Sequence, residues 1–333
     1  MQAAERQVEV VHTLPSAREP RKVQPWEKVL QAAAAPAAVL ASQAAGPAWQ
    51  VAGAATCGLA LGVSGHRRGS LSVSGAWAAA VVGTATLAAS LRCGATLLAF
   101  YVASSRLTAY RERAKAVDDE FKPGGQRDWV QVCCNATVPS LLAIAAAVFT
   151  RARDAPIGLA GRPAAACLGG VLGYFACCCG DTWASELGQL SEDKPRLITT
   201  MQPVRTGTNG GVTKLGLAAS AAGGLFVGLV FYCAALASPT LLVMPGQAAA
   251  AAQQWQLVPL GVLGGIFGSV ADSVLGATVQ YSGFSITTQR ITGRPGPKVH
   301  RIAGHPLLSN NGVNLVSASM TAALVAWLVL LLF

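Results

Sequence analysis

The sequence predicts an all-α protein, a multi-pass bundle of about eight transmembrane helices with a possible internal repeat. Charged residues make up only 12% of the 333 residues, about half the roughly 25% that is usual in a soluble domain. The mean hydropathy is +0.45, and apolar runs recur from about residue 47 to the C-terminus. We therefore expect one integral membrane domain over residues 47–333 rather than two soluble domains.

The first 46 residues differ from the rest of the chain, and we interpret them as an N-terminal tail. Residues 1–30 mix acidic and basic side chains and lack an apolar core, which excludes a secretory signal peptide and makes a poor organellar transit peptide. Residues 28–45 are rich in alanine but only weakly hydrophobic. This composition favours an interfacial or packing helix over a membrane span.

Eight later segments are apolar and long enough to cross a bilayer. A helix rises about 1.5 Å per residue, so about 20 residues cross the hydrocarbon core. The predicted spans are about 47–63, 71–91, 93–110, 132–149, 163–180, 210–236, 256–280 and 311–333. Arg92 marks the junction between the second and the third of these spans.

The basic residues gather on one face of the membrane when the connections are assigned alternately to two faces. Fifteen Lys and Arg residues fall in the connections 64–70, 106–131, 181–209 and 281–309. The connections on the other face hold only four, and the N-terminal tail on that face holds five more. The positive-inside rule places the basic face, here called face Y, in the cytoplasm or in the stroma or matrix of an organelle.

Several other functions are not indicated. The net charge is +10, and the charged residues lie between apolar runs. No nucleic-acid-binding motif with interleaved aromatic residues is evident. The nine cysteines fall in or beside apolar segments without the paired spacing of a metal site, so we interpret them as packing residues. The sequence also has no evident Ser/His/Asp set, Walker A loop or dinucleotide fingerprint.

The first polar region of interest on face Y covers residues 123–132, with Asn135 following. Gly124 and Gly125 allow a tight turn, and the planar fork of Arg127 is suited to a phosphate. The alternative is an ordinary interfacial loop anchored by a tryptophan.

The second region, residues 176–216, places Asp181 and Glu186 at the end of a predicted span. A carboxylate at such a boundary needs water, a cation or a metal to offset its desolvation. The two acids are five residues apart, which is roughly 140° around a straight helix, so from such a helix they could not chelate one ion. Either a break at Gly180 reorients Asp181 or the two acids serve different ions, and a role as helix-capping acids is the alternative.

The third region contains Asp272 within the predicted span 256–280, with no basic residue within one turn. A carboxylate inside a membrane span indicates a functional site that pairs with a cation or metal from elsewhere. The alternative is a protonated acid bonded to its own helix.

The second and third regions resemble each other, which suggests an internal repeat. In each, an acid near a span is followed by a basic loop and then by an amide-and-glycine sequence that could open a helix, where free N–H groups suit phosphate. The sequences are Asn209-Gly210-Gly211 after Asp181, and Asn310-Asn311-Gly312-Val313-Asn314 after Asp272. Two such half-units meeting at one cleft would supply two carboxylates for Mg²⁺ and two helix ends for phosphate, unless the similarity arises by chance.

Six ordered segments carry a resemblance to a known family: residues 125–135, 180–188, 195–200, 207–212, 272–280 and 310–314. They are similar to segments of the transmembrane protein nineteen family, whose plant members are phytyl-phosphate kinases of the vitamin E pathway. The resemblance covers about residues 47–333 and implies a multi-pass helical membrane protein. For plant-like members it implies transfer of phosphate from a nucleotide to an isoprenoid monophosphate, giving phytyl diphosphate. It leaves the compartment undecided between the chloroplast envelope and another organellar membrane or endomembrane.

The resulting hypothesis is a membrane isoprenoid-phosphate kinase that uses CTP or ATP and Mg²⁺. Asp181 and Asp272 would hold the metal, and Glu186 would be a third ligand or a base. Its partners would be the isoprenoid lipid phosphate and membrane lipids. The residues expected to bind substrate and phosphate are Arg127, Arg196, Arg205, Asn209, Gly210, Gly211, Asn310 and Asn314.

Two other functions remain open at this point. A transporter of an ion or an anionic metabolite also uses repeats and acids inside the membrane, but it needs polar access from both faces. A nucleotidyltransferase acting on a lipid phosphate would use the same residues and differ only in which phosphate is attacked.

Overall fold

The computed structural model describes residues 47–110, 125–151, 154–238 and 245–333, and the predicted helical bundle is confirmed. The predicted tail, residues 1–46, lies outside the described residues. The helices are α1 Pro47–Arg67, α2 Val73–Ala89, α3 Leu91–Ala109, α4 Trp129–Phe149, α5 Arg162–Gly188, α6 Lys214–Leu236, α7 Pro245–Ala252, α8 Leu257–Val279 and α9 Asn310–Leu332. Short 3₁₀ helices cover Ile157–Leu159 and Gln253–Gln256.

Five of the described helical segments are long and apolar enough to cross a membrane, and they are Trp129–Phe149, Arg162–Gly188, Lys214–Leu236, Gln247–Val279 and Asn310–Leu332. Helix α2 is apolar but shorter. Helices α1 and α3 have 21 and 19 residues and carry more polar side chains. The eight predicted spans correspond to these eight positions, and α7 is a short additional helix.

Helix α5 forms the centre of the bundle. It is buried along most of its length, and Val171, Tyr174 and Phe175 are fully enclosed in the main apolar core. The surrounding helices expose large apolar side chains on their outer faces, among them Val148 and Trp327. Such a surface is suited to lipid rather than water, in agreement with the predicted membrane domain.

Glycines let α6 pack directly on the backbone of α5. A Cβ atom placed on Gly223 would lie 3.0 Å from the Cα of Gly180, and one on Gly188 would lie 3.6 Å from the Cα of Gly216. Later residues of α6 thus meet earlier residues of α5, so the two helices are antiparallel. Small residues that allow such close approach are typical of helix contacts in membranes.

An adjacent face of α6 packs on α8 in the same way. A Cβ atom on Gly224 would lie 3.1 Å from the Cα of Gly265, and one on Gly228 would lie 3.0 Å from the Cα of Val258. Helices α6 and α8 are therefore also antiparallel. It follows that α5 and α8 run in the same direction and end on the same face of the bundle.

The connections after α5 and α8 contain small antiparallel sheets that the sequence did not predict. They are a two-stranded sheet of β1 Arg196–Leu197 and β2 Gly211–Val212, and a three-stranded sheet of β3 Ser282–Ser285, β4 Ile291–Thr292 and β5 Val299–Ala303 in the order β4-β3-β5. Leu197, Ala277 and Ala303 share a small core that fixes both connections against the end of α8. Face Y thus carries a folded layer rather than separate loops.

The junction between α2 and α3 lies at Ser90, two residues before the predicted position. The Ser90 hydroxyl accepts a bond from the N–H of Cys93 and donates one of 2.6 Å to Asp154, which ends α2 and begins α3. Arg92 therefore lies inside α3, fully buried, where it donates to the carbonyl of Ala155 and faces the ring of Phe231.

The predicted internal repeat has structural support. Asp181 and Asp272 each lie seven residues before the end of their helix. The helices that follow, α6 and α9, each have 23 residues and a hydroxyl N-cap: Thr213 accepts from the N–H of Gly216, and Ser309 accepts from that of Gly312. Because α5 and α8 are parallel, the two units repeat in the same orientation.

Candidate active site at the carboxylate pair

Asp181 and Asp272, which are 91 positions apart in the sequence, line one small pocket with an empty volume of about 210 Å³. The pocket lies among α4, α5, α8 and α9. Its other lining residues are Asn135, Cys177, Cys178, Thr182, Asn314 and Ser317. The predicted convergence of two distant carboxylates is therefore present.

The crossing of α5 and α8 brings the two carboxylates together. A Cβ atom on Gly180 would lie 2.8 Å from the Cα of Gly265, and one on Gly268 would lie 2.8 Å from the Cα of Cys177. Asp181 directly follows Gly180, and Asp272 lies one turn beyond Gly268. The glycines thus set the separation of the carboxylates by letting the two backbones touch.

Polar side chains of α9 hold the Asp272 carboxylate. The Ser317 hydroxyl donates to Asp272 Oδ2 at 3.1 Å. With the Asn314 amide oriented to satisfy its neighbours, its nitrogen donates to the same oxygen at 3.2 Å and to the carbonyl of Asn310 at 3.0 Å. Both donors use one carboxylate oxygen and leave the other available. Asn314, which was predicted to bind substrate or phosphate, lies at the carboxylate pocket, and in this structure it positions the acid.

The Asp181 carboxylate has a different environment. Within the described ranges no hydrogen bond to it is present, and the charge next to it is that of Asp272. None of the residues that line the pocket is basic. Two carboxylates side by side in a partly buried site repel each other unless a cation or a proton lies between them.

The available donors suit a hard divalent cation. The pocket offers carboxylate, amide and hydroxyl oxygens, the ligands that Mg²⁺ prefers, and Mg²⁺ commonly uses one or two carboxylates together with substrate phosphates. The described part of the chain contains no group of three His, Cys, Asp or Glu residues that could hold a metal without further ligands. The residues therefore fit an Mg²⁺ ion that would take its remaining ligands from outside the protein.

Glu186 does not join this pair. Helix α5 continues without interruption through Gly180 to Gly188. Of the two alternatives, a break at Gly180 is therefore absent, and Asp181 lies inside the helix rather than at its end. Glu186 lies on another side of α5, where its charge interacts with the guanidinium of Arg127. Burial lowers the pKa of the Arg127 guanidinium, and the neighbouring Tyr101 and Glu186 partly offset this effect.

Arg127 is fixed at a second, larger cavity next to the carboxylate pocket. Its Nη1 donates to the hydroxyl of Ser105 at 2.8 Å. Its backbone bonds to Ser70 and Ser72, which tie the connection before α4 to the turn between α1 and α2. The cavity has an empty volume of about 590 Å³, and Asn135 lines both it and the carboxylate pocket.

The two other predicted arginines lie elsewhere. Arg196 is exposed and donates to the carbonyl of Met201, which closes a turn of its own connection. The guanidinium of Arg205 stacks on the ring of Phe284 at 3.9 Å. Neither lines the carboxylate pocket, so the structure gives them contacts within the layer of face Y.

The predicted helix opening at residues 209–211 is wrong, because α6 begins at Lys214 behind its Thr213 cap. The side chain of Asn209 donates to the carbonyl of Tyr281. Gly210, with a φ of +77°, packs on α8, where a Cβ atom would lie 2.6 Å from the carbonyl oxygen of Ser273. These residues dock the connection onto α8.

Gly211 and Asn310 also have local roles. Gly211 belongs to β2 and pairs with Leu197. Asn310 is the first residue of α9, as predicted for the second opening, and its Oδ1 accepts from Gln280. Neither residue lines the carboxylate pocket.

Sequence reasoning missed several pocket residues. Ser317 lies three positions after Asn314, so the two share a face of α9, and this spacing could have indicated it. Asn135 stood in a segment noted for its resemblance but was not proposed as a site residue. Thr182 follows Asp181 directly and carried no separate signal.

Comparison with known proteins gives a consistent picture. The sequence model of a family described as integral membrane protein DUF92 matches residues 56–322. A relative from Arabidopsis thaliana, described as Protein PGR, is 45% identical over 266 residues, which are 78% of this chain and 89% of the relative. A second, from Methanocaldococcus jannaschii, is described as uncharacterized membrane protein MJ0933.

The archaeal relative is 31% identical over 191 residues, which are 56% of this chain and 65% of that protein. The aligned region therefore spans slightly less than two thirds of the archaeal protein. No solved structure matches the chain.

Proposed function

The chain belongs to the DUF92 family of integral membrane proteins, and from that premise we propose that it is a membrane isoprenoid-phosphate kinase. It would transfer a phosphate from a nucleoside triphosphate to a prenyl monophosphate such as phytyl phosphate, giving the diphosphate. The substrate class comes from the resemblance of its six motifs to phytyl-phosphate kinases. The residues themselves indicate phosphate, a divalent cation and a membrane.

The observation that carries the proposal is the carboxylate pocket beside the apolar cavity. Asp181 and Asp272 supply two negative charges without a basic partner among the residues lining their pocket. The adjoining cavity is apolar and has Arg127 as its basic residue. A substrate with a long apolar chain and a phosphate that recruits Mg²⁺ would place its chain in the apolar cavity and its phosphate at the carboxylate pocket.

The division of roles follows from the contacts. Asp181 and Asp272 would hold Mg²⁺, which neutralises the charge of the phosphate groups during transfer. Ser317 and Asn314 keep the Asp272 carboxylate in place. Arg127, which is pre-positioned by Ser105, would bind phosphate oxygens from the other side.

The depth of the site supports entry of the nucleotide from face Y. Each carboxylate lies seven residues, or about 10 Å along the axis, from the helix end on that face. The connections on face Y contact each other, for example between Asn209 and Ser282. A polar co-substrate would meet the carboxylates from that side while the lipid stays within the bundle.

The position of the carboxylates bears on the transporter alternative. Transporters are built from inverted or from parallel repeats around a site near the midplane, so the orientation of the repeat by itself favours neither function. In this chain both acid-bearing helices run the same way and carry their carboxylates towards one face. This arrangement favours an enzyme that works from one side.

The test uses the purified full-length chain in lipid nanodiscs with phytyl phosphate, Mg²⁺, and either CTP or ATP. We expect phytyl diphosphate, detected by mass spectrometry, and its loss when EDTA is added. A nucleotidyltransferase would instead release pyrophosphate and leave a nucleotide joined to the lipid phosphate. Formation of neither product with either nucleotide, in protein shown to be folded, would contradict the proposal.

A further inference from the structure

The larger cavity is lined by the first four helices and the connections between them, outside the repeated units that carry the carboxylates. Its empty volume of about 590 Å³ includes space that is open to the outside. The lining residues are Leu61, Leu71, Ala79, Val82, Gly83, Leu97, Leu98, Phe100, Tyr101, Arg127, Val132, Asn135 and Ala136. The walls are therefore almost entirely apolar.

The polar residues of the cavity form one group near face Y. Arg127 lies just before the start of α4, and its guanidinium bonds to Ser105 of α3. Tyr101 bonds to the hydroxyl of Ser70 at 2.7 Å. An apolar lining with a fixed cation at one end is complementary to a molecule with an apolar chain and an anionic head group.

The cavity adjoins the carboxylate pocket through Asn135. This residue lies six positions into α4, about 9 Å from the start of the helix, close to the depth of Asp181 in α5. A chain lying in the cavity would therefore bring its head group to the carboxylate pocket and to Arg127. An apolar ligand that filled the cavity would also exclude water from one side of that pocket.

We propose that this cavity binds the isoprenoid chain of the phosphate substrate and limits its length. The inference rests on the proposed function for the identity of the chain, but it concerns binding and not transfer. Arg127 binds the phosphate end, and the residues of α2 and α3 that line the cavity contact the distal part of the chain. The first four helices are then the lipid-binding part of the protein, and α5 to α9 supply the carboxylates.

The first test measures where the chain binds, without reference to activity. A geranylgeranyl monophosphate analogue with a diazirine at its distal end is added to the protein in nanodiscs, illuminated, and mapped by mass spectrometry of peptides. We expect labelling on α2 and α3, competed by unlabelled geranylgeranyl phosphate. Labelling confined to the outer surface of α6, α8 or α9, or labelling without competition, would overturn the inference.

The second test fills the cavity from one side and compares neighbouring positions of the same type. Val82 lines the cavity, whereas Val81 is 67% exposed on the outer face of α2. We expect Val82→Trp to reduce binding of geranylgeranyl phosphate at least tenfold while dimethylallyl phosphate, which has a short chain, still binds. Val81→Trp should leave both affinities unchanged.

Binding of dimethylallyl phosphate also shows whether the Val82→Trp variant is folded. If Val82→Trp loses both ligands, Ala79→Leu, one turn earlier on the same wall, repeats the comparison with a smaller change. Equal effects on long and short chains in both variants would overturn the inference. Cavity labelling without diphosphate formation would refute the kinase alone, and diphosphate formation with unchanged chain-length dependence would refute the cavity alone.

Discussion

The two acid-bearing units, α5–α6 and α8–α9, have the same arrangement of helices but surround their carboxylates with different side chains. In the second unit, Ser317 and Asn314 lie eight and five positions after the N-cap of α9, and both donate to Asp272. The equivalent positions after the N-cap of α6 are Ala221 and Ala218. The first unit therefore has no counterpart of these donors.

This difference assigns the carboxylates distinct roles in the proposed mechanism. Asp272 is held in one orientation by its own unit, so it provides a fixed ligand. Asp181 has no hydrogen-bond donor among the residues described, so its charge is compensated only when a cation or proton is present. We infer that Asp181 depends on the bound ion more strongly than Asp272 does.

The largest effect is expected for Asp181→Asn. Removing this charge takes away the ligand that is free to bind the ion, and the loss of one such electrostatic group typically lowers kcat by about 100-fold or more. The measurement is diphosphate formation under saturating nucleotide. Asp193→Asn, at an exposed position of the connection that follows α5, is the matched control and should retain full activity.

Asp272→Asn should lower kcat less than Asp181→Asn does, because the new side-chain amide still accepts the hydrogen bonds from α9. Full activity of Asp181→Asn or of Asp272→Asn would show that the substituted carboxylate takes no part in the mechanism. Equal losses in both would show that the asymmetry between the units has no functional consequence.

The next effect is on packing between the two units. In Gly180→Ala the new methyl group would lie 2.8 Å from the Cα of Gly265, and overpacking of this kind costs about 1–3 kcal/mol. We expect a lower melting temperature and weaker activity, because the carboxylates move apart. Gly158→Ala, whose Cβ would have no atom within 4 Å, is the control; equal melting temperatures of the two variants would refute the close crossing.

A smaller effect is expected for Ser317→Ala, which removes one donor to Asp272. A hydrogen bond to a charged group contributes about 1.5–3 kcal/mol, so the Mg²⁺ concentration for half-maximal activity should rise roughly 10-fold or more. Ser319→Ala on the same helix is the control, since its hydroxyl donates to the carbonyl of Leu315 and not to Asp272. An unchanged Mg²⁺ dependence would argue against the positioning role of Ser317.

The smallest effect is expected for Arg205→Ala. This guanidinium stacks on Phe284, so its loss should loosen the layer of face Y by about 0.5–1 kcal/mol with little change in the KM for phytyl phosphate. Arg127→Ala, measured in parallel, should raise that KM. A larger increase for Arg205→Ala than for Arg127→Ala would restore the phosphate role that the sequence suggested.

The sequence was informative where local chemistry determines structure. Apolar runs located eight helices, and an acid inside such a run identified Asp272. Helix ends were less accurate: the predicted fifth span stopped at Gly180 because the charged residues that follow lower the hydropathy, but the backbone continues as a helix for two more turns. The amide-glycine sequence at Asn209 predicted the start of a helix, but the helix begins after Thr213, which is the better N-cap residue.

Other features depend on packing between distant segments, and no local signal could give them. The contact of Gly180 with Gly265, and the shared lining by Asn135 of two spaces, arise from the arrangement of several helices. The small sheets on face Y pair segments that look like polar loops. Arg196 and Arg205 matched the expected chemistry, but their position relative to the pocket depends on those sheets.

The most direct test of the central claim measures Mn²⁺ bound to the purified protein by electron paramagnetic resonance, because Mn²⁺ accepts the same oxygen ligands as Mg²⁺. In the presence of a prenyl monophosphate, we predict one site in the wild-type protein and its loss in Asp181→Asn and in Asp272→Asn, with Asp193→Asn unchanged. Undiminished Mn²⁺ binding in both pair variants would contradict a cation site between the two carboxylates.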